Sequence, residues 1–139
     1  MNFIVDASVL FSALIKRNFT FDLLETLSDK GHSLYSPMYL LEETNSKRER
    51  LLKFSKLTGS ELDFMIEFIL GKIIIVPEYE YTHLFPEARR LAPHTKDVPY
   101  FALALRLRCA IFSDEKAFKN QSKVKIYSTS ELVKELGVK

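Results

Sequence analysis

One cysteine, Cys109, in a chain of 139 residues excludes an internal disulfide and a cysteine-built zinc site. It lies in an apolar context and reads as a small buried residue. The four glycines form neither a dinucleotide fingerprint nor a Walker loop, which weighs against nucleotide-binding chemistry. Serine-hydrolase chemistry lacks its strained nucleophile turn. The three histidines, His32, His83 and His94, have no ligand-like spacing and read as surface residues. No apolar run approaches the ~20 residues that a membrane-spanning helix needs. The chain also starts without the charged-then-apolar pattern of a signal peptide. We therefore expect a cytoplasmic protein without membrane association. A net charge of only +2 gives little support for a dedicated nucleic-acid coat protein.

What the chain does contain is an ordinary globular balance, 47% apolar and 27% charged, enough to bury a core within a single domain spanning residues 1–139. Phe3-Ile4-Val5 reads as a short strand buried on both faces, and Asp6 follows at its end. Helices are expected over Val9–Leu14 and Phe21–Ser28, the latter ended by Gly31, with a strand at Ser33–Tyr35 between them and the next helix. Ser36-Pro37 then reads as the cap and first turn of a long helix carrying Leu40, Leu41, Leu51 and Leu52. Ser60 and Asp63 open another helix through Leu70, stopped by Gly71. Ile73–Val76 is a strand of four β-branched residues closed by Pro77. From Tyr79 to Leu91 the pattern is helical, with Pro86 either kinking a helix or starting one. An apolar helix over Val98–Leu107, strands at Ala110–Phe112 and Val124–Tyr127, and a helix capped by Ser128 and Glu131 complete the chain. Alternation of strands and helices from end to end predicts an α/β fold with a parallel sheet covered on both faces.

The chemistry is concentrated in carboxylates. Asp6 ends the first strand, Glu42-Glu43 sits early in the helix after the second, Asp97 precedes the helix leading to the fourth, and Asp114-Glu115 ends that strand. In a parallel sheet the carboxyl ends of the strands share one edge, where α/β proteins place ligand chemistry. Each acid alone is equally explained as a helix cap. Together they are like charges that cannot all stay ionised without a compensating cation. Oxygen donors without histidine or cysteine favour Mg²⁺ or Mn²⁺, and such an ion can activate water for phosphodiester cleavage.

In the order and spacing of these residues the chain resembles the PIN-domain family, which includes small nucleases and VapC-type toxins. The resemblance is carried by Ile4-Val5-Asp6-Ala7-Ser8, by Ser36-Pro37 through Glu42-Glu43, by Lys96-Asp97-Val98-Pro99-Tyr100-Phe101-Ala102-Leu103-Ala104, and by Ile111 through Phe118. It implies a three-layer sandwich with a five-stranded parallel sheet and helices on both faces, and metal-dependent endoribonuclease activity, as in the toxin of a toxin–antitoxin pair. Asp6 would be the first metal-binding acid, with Ser8 as its supporting hydroxyl. Glu43 is favoured as the second because a less polar residue, Thr44, follows it; Glu42 stays an alternative. Asp97 would be the third. The family commonly reads Ser/Thr, any residue, Asp, two more residues, then Phe. Ser113 takes the hydroxyl position, and counting back from Phe118 makes Glu115 the fourth acid with Asp114 beside it. A further acid often found before the phenylalanine is replaced by Ala117. That departure leaves open a weakened, RNA-binding or regulatory member. Lys16, Arg17, Lys47 and Arg48 would follow an RNA backbone. An antitoxin protein and a homodimer contact through the first helices are further expectations of the resemblance.

Overall fold

The computed structural model describes residues 1–16 and 19–137. Its centre is the first apolar stretch: β1 (Asn2–Val5) carries Phe3, Ile4 and Val5, all fully buried. It pairs in parallel with β2 (Ser33–Pro37) on one side and β4 (Ala110–Phe112) on the other. β3 (Ile74–Val76) flanks β2, and β5 (Ile126–Tyr127) flanks β4, giving a five-stranded, all-parallel sheet of order β3-β2-β1-β4-β5.

Direction reverses at β1. The steps from β1 to β2 to β3 run one way, through α1 (Ala7–Lys16), α2 (Phe19–Asp29), α3 (Tyr39–Ser46), α4 (Arg48–Ser55) and α5 (Gly59–Leu70). The step from β3 to β4 runs back across β2 and β1, through α6 (Phe85–Leu91) and α7 (Val98–Leu107). Right-handed crossovers place connections of opposite direction on opposite faces of a sheet. Consistent with this, α1 packs against α2 to α5, and α6 packs against α7. The topological switch between β1 and β4 opens a crevice at their carboxyl ends. α8 (Thr129–Leu136) packs beside β5.

Several local expectations change. Ser36 and Pro37 do not open a helix: they are the last residues of β2, and the buried Ser36 Oγ donates to the Val5 carbonyl at 2.6 Å. Pro37 is tolerated because pairing with β1 ends at Tyr35, so its missing N–H interrupts no ladder on that side. The long helix after it is two helices, broken at Lys47, whose φ of −99° and ψ of 8° leave the helical region. The helix expected from Ser60 begins a residue earlier, because Thr58 and Glu61 form the reciprocal capping box instead. Pro86 starts a new helix, α6, after two short 3-10 turns. The capping box of Ser128 and Glu131 is present at α8.

Candidate active site

Asp6 leaves β1 at the switch point and is 3% exposed. Its backbone N–H still pairs with the Phe112 carbonyl at 3.1 Å, so the residue is held by the end of β4 as well as by its own strand. Oδ2 accepts two hydroxyl hydrogen bonds, from Ser8 at 2.6 Å and from Ser113 at 2.9 Å. The Ser113 hydroxyl has its one proton committed to Asp6, and its lone pair accepts the Glu115 backbone N–H at 3.1 Å. Burial pushes the Asp6 carboxyl up to about 6; the two serines oppose that rise, and the charges of Glu115 and Glu43 add to it.

Asp97 is equally buried, at 3% exposed. It stands just before α7, yet its side chain makes no capping hydrogen bond, and its Oδ2 is buried without any hydrogen-bond partner. A buried carboxylate oxygen left unpaired is costly and rare in native proteins. Burial, followed by the neighbouring charges of Asp6 and Glu115, pushes this carboxyl up to about 7, while Lys96 pulls it down. The capping explanation open at the level of sequence therefore does not account for Asp97.

Glu43, half-buried on α3, accepts a 2.6 Å hydrogen bond from the Tyr100 hydroxyl of α7. Burial raises its carboxyl above the usual range, and Tyr100, Lys96 and Lys47 hold it down. Glu115 is partly buried and joins Asp6, Glu43 and Asp97 in lining one cleft of about 370 Å³. Phe118 fixes the segment after β4 by packing on Phe101 of α7, with ring centroids 5.1 Å apart. Part of the cleft lining comes from α1, through Phe11, Ile15 and Lys16 among others, and part from Lys47 and the α4 residues Arg50 and Leu51.

The two open choices among paired acids fall differently in space. Glu42 is exposed and lies off the cleft, because consecutive helical residues point about 100° apart. Asp114 is exposed and turned to the start of α8, where its oxygens accept the Thr129 N–H at 2.7 Å and the Thr129 hydroxyl at 2.6 Å. A negative charge is favourable at such a helix N-terminus.

Of the basic residues, Lys16 and Lys47 line the cleft and Arg17 lies outside the described residues. Arg48 does not line it: its guanidinium pairs with Asp63 and reaches the Gly59 carbonyl at 3.4 Å, tying α4 to α5. Two residues that serve the site were not singled out from the sequence, namely Lys96, which lines the cleft, and Tyr100, which lies buried and bonds Glu43. The first was signalled by its place beside Asp97, and the last by its i+3 spacing from Asp97.

Among the described residues, no group of three or more His, Cys, Asp or Glu side chains forms a ready-made ligand set. Mg²⁺ nevertheless keeps several waters and is commonly held by only one or two carboxylates. The unpaired Asp97 Oδ2, the raised carboxyls around it and a donor set of oxygen alone fit a hard divalent cation. Asp6, Asp97, Glu43 and Glu115 are the residues that could hold it.

The fold is shared with solved structures of low sequence identity. VapBC2 from Rickettsia felis, bound to a DNA fragment from their promoter, is matched with a TM-score of 0.74 at 15% identity, covering 92% of this chain and 98% of that one. PAE2754 from Pyrobaculum aerophilum gives 0.73 at 12% identity, over 100% and 91% of the two chains. VapBC-1 from nontypeable Haemophilus influenzae gives 0.68 at 12% identity, over 94% and 99%. No curated protein matches the sequence. The family model described as PIN domain matches residues 4–136, nearly the whole length, and the chain therefore belongs to the PIN-domain family.

Proposed function

We propose that this protein is a Mg²⁺- or Mn²⁺-dependent endoribonuclease and the toxin of a toxin–antitoxin pair. The observation that carries the nuclease proposal is the buried, unpartnered Oδ2 of Asp97, which shares an open cleft with Asp6, Glu43 and Glu115. A divalent ion bound there would supply Lewis-acid polarisation of a phosphate and a lowered pKa for attacking water. The chain's own residues prepare the place. Ser8 and Ser113 orient Asp6, Tyr100 orients Glu43, and the cations Lys16, Lys47, Arg50 and Lys96 at the rim meet the phosphates of a strand. The antitoxin partner is supported by likeness of fold to structures named for VapBC pairs.

The test is cleavage of a single-stranded RNA panel with Mn²⁺ or Mg²⁺ against EDTA, using wild type and Asp97→Asn. Asn keeps the size of Asp and removes the charge an ion needs. Metal-dependent cleavage lost in Asp97→Asn is the expected result; equal cleavage by both proteins would overturn the assignment. A second function, an RNA-binding or regulatory module with weakened cleavage, is favoured by one feature, Ala117 standing where the family often has an acid. RNA binding without cleavage under every metal condition would establish it.

A further inference from the structure

We propose that Phe54, flanked by Arg50 and Lys53, is a stacking platform for one unpaired base of a single-stranded RNA whose backbone enters the acidic cleft. This rests on the ribonuclease proposal and specifies how that cleft would grip its substrate. α4 contributes Arg50 and Leu51 to the cleft wall, next to Lys47 at its N-terminal cap. At 100° per residue, Phe54 falls between Arg50 and Leu51 on the same helix face, one turn beyond them. Lys47 marks the acidic end of this wall, since its backbone N–H bonds the Glu43 carbonyl at 3.1 Å. Phe54 thus extends the wall about 10 Å along the helix axis from Lys47.

Phe54 does no evident packing for the fold. It is 49% exposed and is not among the hydrophobic residues packed on the core. Instead, Arg50 Cζ lies 5.9 Å and Lys53 Nζ 5.5 Å from the centroid of its ring. A half-exposed aromatic ring bordered by two cations suits a nucleobase and its adjoining phosphates, the combination by which single strands are held without a duplex groove. Charge complementarity selects this occupant over an apolar peptide: Arg50 and Lys53 border the ring, Lys47 stands about two turns nearer the acids, and the one acid of α4, Glu49, falls on the opposite helix face.

The test is fluorescence anisotropy of a short single-stranded RNA, and of the same strand made abasic, in EDTA. Wild type is compared with Phe54→Ala, Phe54→Leu, Phe54→Trp and Arg50→Gln, each first shown to melt like wild type. Phe54→Ala and Phe54→Leu should weaken binding about tenfold on the intact strand and leave binding to the abasic strand at the wild-type level. Phe54→Trp should bind at least as tightly as wild type. Arg50→Gln, unlike the Phe54 variants, should lower the salt dependence by about one ion. Wild-type affinity in Phe54→Ala, full rescue by Leu, or an equal loss on the abasic strand would overturn the platform, the last two pointing to a protein contact instead. RNA bound in the expected Phe54-dependent way but never cleaved with Mn²⁺ would leave the platform standing and remove the ribonuclease proposal. A wild-type protein that binds no RNA would overturn both.

Discussion

Tyr100 and Glu43, separated by 57 positions in sequence, meet at 2.6 Å between the phenol Oη and the carboxylate Oε1. The bond joins α7, on one face of the sheet, to α3 on the other, across the open edge of the switch point. Tyr100 is fully buried, and desolvation together with the Glu43 charge drives its own ionisation far above the ordinary tyrosine range. It therefore stays a neutral donor at any physiological pH. Its proton favours the ionised form of Glu43 against the burial that disfavours it.

Tyr100→Phe keeps the ring and removes only this donor. Hydrogen bonds to a charged group contribute roughly 1.5–3 kcal/mol, so the Glu43 carboxyl should rise further and the acidic limb of the pH–rate profile should move upward. The loss of cleavage should be tenfold or more near pH 6 and should shrink as pH increases. An unshifted profile, with a uniform loss at all pH values, would show that Tyr100 acts through packing alone.

Without metal, the acid cluster opposes folding at neutral pH. Asp6 and Asp97 have carboxyls raised to about 6 and about 7, against 3.8 for the free side chain. The folded state thus binds more protons than the unfolded chain between about pH 4 and pH 7. Any contribution these groups make is fully present below pH 4 and is lost as pH rises through 6 and 7. Melting temperature in EDTA should accordingly fall across that window. At pH 7.5, excess Mn²⁺ should raise it, because the ion stabilises the ionised carboxyls and has no such site in the unfolded chain. Asp97→Asn should raise the metal-free value by about 3 °C or more at pH 7.5 and change it little at pH 4. Differential scanning calorimetry on both proteins, at matched ionic strength, measures each effect. A flat pH response, or a wild-type melt indifferent to Mn²⁺, would contradict the coupling of these acids.

Asp114 and Glu115 are neighbours with opposite surroundings, and substitution should separate them. Glu115→Gln takes a charge from the cleft, so it should reduce Mn²⁺-dependent cleavage at least tenfold while leaving the melting temperature unchanged or higher. Asp114→Ala removes the acceptor for two Thr129 hydrogen bonds at the start of α8. It should cost about 1 kcal/mol of stability, a fall of about 3 °C, with cleavage at 25 °C intact. Titration of rate against Mn²⁺ for both variants is decisive. A larger catalytic loss in Asp114→Ala would mean that the two side chains exchange places when metal binds.

Much of the architecture was legible in the order of residues because it follows from local chemistry. The β-branched run at Ile73–Val76, the buried triplet before Asp6 and the capping pair Ser128 and Glu131 act over a few residues, so their periodicity speaks for itself. Alternation of most of these strands with helices pointed to a parallel sheet and one shared edge for the acids. Position along the chain could not decide direction in space. Glu42 and Glu43, or Asp114 and Glu115, differ by one residue, and which of each pair faces the cleft depends on how α3 seats against the sheet and how Phe118 anchors the turn after β4. Ser36-Pro37 carried a sound helix-start signal that lost to pairing with β3, a contact some forty positions away. The unpaired Asp97 oxygen, the Tyr100–Glu43 bond and the engagement of Arg48 with Asp63 are likewise products of packing between distant segments. Residue type sets which groups can ionise and bond, whereas desolvation and distance, which shift those groups and join them, exist only once the elements have come together.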